Sequence, residues 1–328
     1  MAETVRPPLE IGLTAAVVAV ADRQPLILVV AASDPSEPDR LPFGPFDPIL
    51  HRTLDMGLRA WVEEQTPLKL GYVEQLYTFG DRGRHALPGD VGPHLVSVGY
   101  LALTRIGSEK SEALARAGAS WRRWYEFFPW EDWRGGRPAL LDTAILPALR
   151  RWARDRSADD PVPRPISRRE RVRLAFGVED APWDEERVLD RYELLYSAGL
   201  VPEATRDGRP APVGALPPAA AGAPMRFDHR RILATAISRL RAKLKYRPVV
   251  FELMAPEFSL TELQLTVEAI SGRHVHKQNF RRLVEAAAVV EPTGAESRPK
   301  RGRPAALFRF RRDVLRERPS PGLRVGSR

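Results

Sequence analysis

The chain has 328 residues, 43% hydrophobic and 28% charged, with 31 Pro, 23 Gly and no Cys. That length and apolar content predict two or three packed domains and exclude wholesale disorder, while the missing Cys excludes disulfides, thiol catalysis and Cys-ligated zinc. The net charge of +9 is uneven: residues 226–328 hold 23 Lys and Arg against 10 Asp and Glu, and residues 1–225 hold 28 against 32. A mildly acidic body with a basic C-terminal region is expected of a nucleic-acid binder, with a solvated basic surface or compositional Arg enrichment as the plain alternative. The longest apolar runs, such as Leu13 to Ala21, are about half a bilayer span. Met1 to Glu10 lacks the basic-then-apolar order of a signal peptide. A soluble cytoplasmic protein without a membrane partner is the expectation.

Taken in chain order, Leu13–Val20 and Leu26–Val30 read as strands around the polar turn Asp22-Arg23-Gln24. A Pro-rich stretch, Asp34 to Pro48, follows. Thr53–Gln65 reads as a helix, with Leu54, Leu58, Trp61 and Val62 on one face, and Pro67 marks its end. Tyr72–Phe79 and His94–Thr104 read as strands, and Trp121–Phe128 as a final one. Residues 134–224 read as a helical insertion. Its helices fall over Leu140–Arg154, Ser167–Phe176 and Asp184–Ala198, with low-complexity linkers at Arg156–Pro165 and Ala204–Pro224. Residues 228–246 make a strong helix with Asp228 able to cap it. Its stripe of Ile232, Leu233, Ala236, Ile237, Leu240 and Leu244 could pack on the first domain, on a second subunit or on both.

Two stretches carry chemistry. The segment Leu41-Pro-Phe-Gly44 leads to Arg59-Ala-Trp-Val-Glu-Glu-Gln-Thr-Pro67. This resembles the Nudix box, in which carboxylates on one helix face hold divalent cations that polarise the phosphate oxygens and activate water to attack a pyrophosphate. Arg59, Glu63 and Glu64 match. Ala60 stands where a Glu belongs, Thr66 replaces the Gly, and the upstream Glu position falls on Leu50 or His51. Glu63 and Glu64 are left as weak metal candidates, with solvated helix charges as the plain alternative. No required cofactor and no hydrolysis are expected. A nucleotide pocket would then use cations and aromatics: Arg59 and Lys69 for phosphate, and Tyr77, Phe79 or Trp61 for a base.

Near the C-terminus, Ser259-Leu-Thr-Glu262 is a capping box opening a helix to about Ile270. Ser271-Gly272-Arg273 makes a turn, and a second helix runs from Val275 to Ala288. That helix buries Val275, Phe280, Leu283, Val284 and Ala287, and faces His276, Lys277, Gln278, Asn279, Arg281 and Arg282 outward. Val289–Pro292 and Ala306–Phe310 read as paired strands around a loop with Arg298, Lys300, Arg301 and Arg303. This is a winged helix-turn-helix, whose basic wing would neutralise phosphates while Gln, Asn and Arg read base edges. A winged helix used for protein contact is the alternative.

Together the two halves resemble the NrtR-type Nudix-related transcriptional regulators. The carrying stretches are Tyr72–Asp81, Phe227–Leu244, Phe251–Gln264, Asn279-Phe-Arg-Arg282 and Gly302–Arg309. The resemblance implies an α+β fold: a Nudix-like α/β/α sandwich over 1–133, the insertion over 134–224, a connecting or dimerisation helix over 225–247, a winged helix over 248–315 and a disordered tail over 316–328. It implies a homodimeric repressor of NAD-metabolism genes that binds double-stranded DNA and is released by ADP-ribose or a related nucleotide. An active Nudix pyrophosphohydrolase with a regulatory tail, and a regulator whose Nudix fold is only a dimerisation scaffold, are the alternatives.

Overall fold

The computed structural model describes residues 8–81, 83–84, 92–107, 111–155, 165–211, 213–297 and 304–317. Strand β1 (Leu9–Ala21) is buried from Gly12 to Ala19 on both faces, which is why it reads as an unbroken apolar run. It pairs in parallel with β5 (His94–Leu103), and antiparallel with β2 (Gln24–Val30) and with the short β3 (Phe43–Pro45) inside the Pro-rich stretch. β4 (Tyr72–Phe79) and β6 (Ala119–Arg123) close the mixed six-stranded sheet in the order β4-β5-β1-β2-β6.

The period of two in strands sends alternate side chains to two different cores. Leu13, Ala15 and Val17, with Val98, Tyr100 and Ala102, meet Leu58 and Val62 of α1 (Leu54–Gln65) and Leu114 of α2 (Ser111–Arg116). Ala16 and Val18, with Leu101 and Leu103, face the rest of the molecule. The centre of that second layer is α9 (His229–Leu244), whose stripe of Ile232, Leu233, Ala236, Ile237, Leu240 and Leu244 is wholly buried within this chain. The stripe therefore offers no surface to a second subunit. Asp228 does not cap the helix either: its side chain makes no capping bond and instead lies buried between Arg84 and Arg231.

The insertion belongs to the same core. α4 (Leu146–Arg154) follows a π-helical turn at Leu141–Ile145, and α5 (Arg168–Phe176) and α6 (Val188–Ser197) complete the expected helices. Ala204–Pro224, expected as a linker, carries α7 (Pro202–Arg206) and α8 (Pro218–Ala221) and buries Ala204, Leu216, Ala220 and Ala221. Small apolar side chains let those turns sit close against the body, so their composition hid their packing. Of the other expected linker, 156–164 lies outside the described residues. The expected last strand ends at Arg123, and Trp124–Phe127 turns into the short helix α3. Its aromatics Trp124, Tyr125 and Phe127 are buried, which extended backbone with alternating exposure would not achieve.

The C-terminal domain consists of α10 (Leu260–Ser271), α11 (Lys277–Ala287), β7 (Val290–Glu296) and β8 (Ala306–Phe310). Phe258 and Phe308 exchange backbone bonds at 2.9 and 2.8 Å and add a third edge to that hairpin. A final turn, α12 (Val314–Glu317), runs across the expected start of the tail at 316, with Val314 buried. Residues 318–328 lie outside the described residues.

Candidate functional site

The helix-turn-helix is built from a small number of local bonds. Ser259 accepts from the Glu262 backbone at 3.2 Å, and the Glu262 carboxylate accepts from the Ser259 backbone at 2.7 Å, so the capping box opens α10 as the sequence predicts. Gly272 ends that helix at φ +72, and a Cβ there would meet Arg241 Nη2 and Tyr125 Oη, each at 2.9 Å. Two residues that sequence reading passed over then fix the turn. Glu268 accepts from the Val275 backbone at 2.9 Å, and Gln264 donates to the Val275 carbonyl at 2.8 Å and to Glu268 at 2.9 Å. Both are polar residues at helical spacing, so they read as an outer face; the returning chain is what buries them.

α11 is amphipathic. Phe280 and Val284 are buried, and Val275, Leu283 and Ala287 are half-buried against the same core. His276, Lys277, Gln278, Asn279, Arg281 and Arg282 are all exposed, on a helix that keeps its donors and acceptors turned outward. In the wing, Val290 pairs with Phe310 and Pro292 with Phe308. Ser297 and Ala305 then meet through bonds of 2.8 and 3.1 Å. The basic positions Arg298, Lys300, Arg301 and Arg303 lie outside the described residues.

The region of the Nudix box folds compactly. Trp61 lies flat over Gly44, leaving no room for a Cβ, and its indole donates to the Pro45 carbonyl at 2.7 Å. The Gln65 amide both donates to and accepts from the Phe43 backbone, at 2.6 and 3.2 Å. Thr66, in the place of the box glycine, is extended at φ −147 and buried, where any residue fits, and its hydroxyl donates to the Val62 carbonyl at 2.6 Å.

The residues expected to hold a nucleotide do not converge. Arg59 is on the α1 side of the sheet, paired with Asp55 at 2.8 Å and donating to the Leu70 carbonyl at 2.6 Å. Lys69 is on that side too, exposed and 3.5 Å from Glu63. Phe79 is on the opposite side, 4% exposed and packed under Arg231 of α9. It is a core residue with no face left to stack on a base. Tyr77 is exposed on the α9 side, where with Arg239, Thr235, Ser238 and Asp190 it lines a cleft of about 440 Å³. Glu63 and Glu64 are exposed on α1. Glu74 and Asp81, two carboxylates outside the box, lie across the sheet. Glu74 is held by Lys243 at 2.5 Å, and Asp81 by Arg231. Among the described residues no three His, Asp or Glu side chains are grouped to hold an ion.

The family described as the NrtR DNA-binding winged helix domain matches residues 250–310. The C-terminal domain is thus similar to the NrtR winged helix. A curated relative, the ADPR responsive transcriptional repressor NtrR of Acinetobacter baylyi, is 43% identical over 84 residues, which are 26% of this chain and 33% of that protein. The chain thus spans about a third of the length of the curated relative it matches. Two crystal structures of Shewanella oneidensis NrtR, one of them complexed with a 27mer DNA, superpose with a TM-score of 0.53 at 20% identity, covering 93% of this chain and 95% of theirs. At that identity the likeness is one of fold alone: a mixed sheet flanked by helices and joined to a winged helix. No helix among the described residues is long and apolar enough to cross a membrane.

Proposed function

We propose that this protein is a DNA-binding transcriptional repressor whose Nudix-like domain senses ADP-ribose or a related nucleotide without hydrolysing it. The observation that carries the reading is the exposed face of α11. Six side chains able to bond base edges or phosphates, His276 to Asn279 with Arg281 and Arg282, stand on an NrtR winged helix in a region with 23 basic and 10 acidic residues. Such a helix enters the major groove with its N-terminal residues deepest, while Lys and Arg of the wing neutralise phosphates. The Acinetobacter relative's name supports both the repressor and the effector. Regulation of NAD-metabolism genes and a homodimer on a palindromic site complete the reading, with the subunit contact made by a surface other than the α9 stripe.

Loss of hydrolysis follows from the box. Ala60 supplies no carboxylate, and the upstream position carries Leu50 or His51. The carboxylates outside the box are neutralised by Lys243 and Arg231 on the far side of the sheet. The test is one experiment with three readouts. ADP-ribose and magnesium are incubated with the protein on DNA it has selected from a random-sequence pool. Binding of ADP-ribose that releases DNA, without AMP, is the expected result. Magnesium-dependent AMP release that Glu63→Gln abolishes would make it a hydrolase, and no binding of any adenine nucleotide would reduce the Nudix-like domain to a scaffold. Lys69→Ala against Tyr77→Ala then assigns the nucleotide to one face of the sheet.

A further inference from the structure

The insertion carries a concentration of charge that neither the winged helix nor the Nudix-like sheet uses. α4 and α5 together hold seven arginines and a single glutamate. They pack side by side and enclose an open cleft of about 320 Å³, lined by Arg150, Arg154, Arg169 and Arg173 with Val178 and Glu179. Arg169 is paired with Glu179 at 3.1 Å and Arg173 with Glu170 and Asp180 at 2.8 and 2.6 Å, so the charge offered outward is that of α4. Arg150, Arg151 and Arg154 are exposed on successive turns of a helix that has no acidic residue. Arg168 fastens the pair of helices: it donates to the Asp155 carbonyl at 2.8 Å, and its guanidinium lies 4.7 Å from the Trp152 ring. The exposed guanidiniums of Arg150, Arg151 and Arg154, carried on one helix, suit a polymer of phosphates, whose oxygens accept from them bidentately.

The position of the cleft favours DNA as the polymer. Gly177, beside its rim, packs so closely on the next segment that a Cβ would come within 2.5 Å of Trp183 N. The Trp183 carbonyl in turn accepts from Arg273 Nη2 at 2.9 Å. Arg273 lies in the turn of the helix-turn-helix, three residues before His276. Beneath Trp183, buried Arg191 stacks at 3.8 Å and is paired with Glu131. The arginine cleft is thus joined by packed residues to the turn that precedes the recognition helix.

We propose that the α4–α5 cleft is a second DNA-backbone contact, which grips duplex flanking the sequence read by α11. This deepens the functional reading above and rests on the winged helix binding DNA. The test uses the full-length protein with Arg150, Arg151 and Arg154 replaced together by Gln. All three are exposed, so the thermal midpoint is expected to stay put. Affinity is measured against salt on a selected duplex with long flanks and on the same duplex trimmed to the core site. On the long duplex the slope of log Kobs against log salt should become shallower by up to about 3, at ~0.9 for each phosphate that is no longer neutralised. On the trimmed duplex wild type and variant should coincide, and Lys at the three sites should restore the slope. Equal slopes on the long duplex for wild type and the Gln variant would overturn the flanking contact and leave the winged-helix reading standing. If wild type enriched no DNA from the pool, both would fall.

Discussion

Arg241 Nη1 lies 2.7 Å from Glu131 Oε2, and both side chains are 1% exposed. Arg191, fully buried, binds the same carboxylate through Nε and Nη2 at 2.5 and 2.9 Å. One carboxylate therefore bridges two guanidiniums, from α6 and α9. Arg241 also donates to the Ile270 carbonyl at 2.9 Å, and two residues beyond Glu131 the Trp133 backbone donates to the Gly272 carbonyl at 2.7 Å. The insertion, the connecting helix and the turn of the winged helix meet at this point. Replacing Glu131 by Gln strands two buried cations, and breaking a buried pair costs about 3–5 kcal/mol. The expected result is a large fall in the urea midpoint, with the winged helix loosened from the body. Amide exchange at Gly272 and Arg273 should report the loosening.

This arrangement marks the limit of what the sequence discloses. Elements built on local signals are legible: the apolar run of Leu13 to Val20, the Thr53 cap whose hydroxyl accepts from Met56 at 3.2 Å, the Ser259 capping box and the periodic stripe of α9. Glu131, Arg191 and Arg241 look like surface charges because nothing nearby in sequence shows that another element will cover them. The nucleotide candidates are divided between the two faces of the sheet for a related reason. Arg59 and Lys69 come from the α1 side, while Phe79 and Tyr77 come from a strand that sends them to the other face, and motif spacing does not say which face a neighbouring strand presents. In the winged helix, by contrast, amphipathic α11 alone decides which residues point outward.

Gly44 and Trp61 give a second prediction. The indole occupies the space a Cβ would need at position 44. Gly44→Ala forces the ring off its seat and stretches the 2.7 Å bond to the Pro45 carbonyl, at a cost of about 1–3 kcal/mol. A double-mutant cycle in urea with Trp61→Leu checks it. Most of the Gly44→Ala penalty should vanish once the ring is gone, and additive losses would show that the two do not oppose each other.

Asp228 predicts a pH dependence. Burial pushes its carboxyl up to about 7, against the pull of Arg84 and Arg231 and with Glu193 adding repulsion. A carboxyl raised in the folded state binds protons that the unfolded chain has already lost. Its contribution to stability is complete below the unfolded value of 3.8 and is lost as pH rises through about 7. Within that window the slope is at most ~1.4 kcal/mol per pH unit. Asp228→Asn should remove this component. Unfolding free energies at pH 5 and pH 8 should therefore differ less in the variant than in wild type, and an equal difference would put the titration elsewhere.

The final prediction separates folding from recognition on one helix. Phe280 is 1% exposed, in the core between α10 and α11, whereas Asn279 and Arg282 on the same helix are exposed. Phe280→Ala removes a buried ring at a cost of about 3–5 kcal/mol and should lower the thermal midpoint while abolishing binding to every DNA alike. Asn279→Ala and Arg282→Ala remove groups that make no contribution to the core, so the midpoint should hold. Each should instead relax preference at particular positions, by about 1–3 kcal/mol for a good bidentate pair with a base. Replacing Lys300, Arg301 or Arg303 of the wing should weaken operator and scrambled DNA equally and lower the salt slope by about 0.9 for each phosphate left without its cation. Polarisation titrations on both DNAs at several salt concentrations read the three classes apart. If the α11 and wing variants lost affinity in the same proportion on operator and scrambled DNA, α11 would not be reading bases. If neither set changed binding, the exposed face of α11 would be a protein-contact surface.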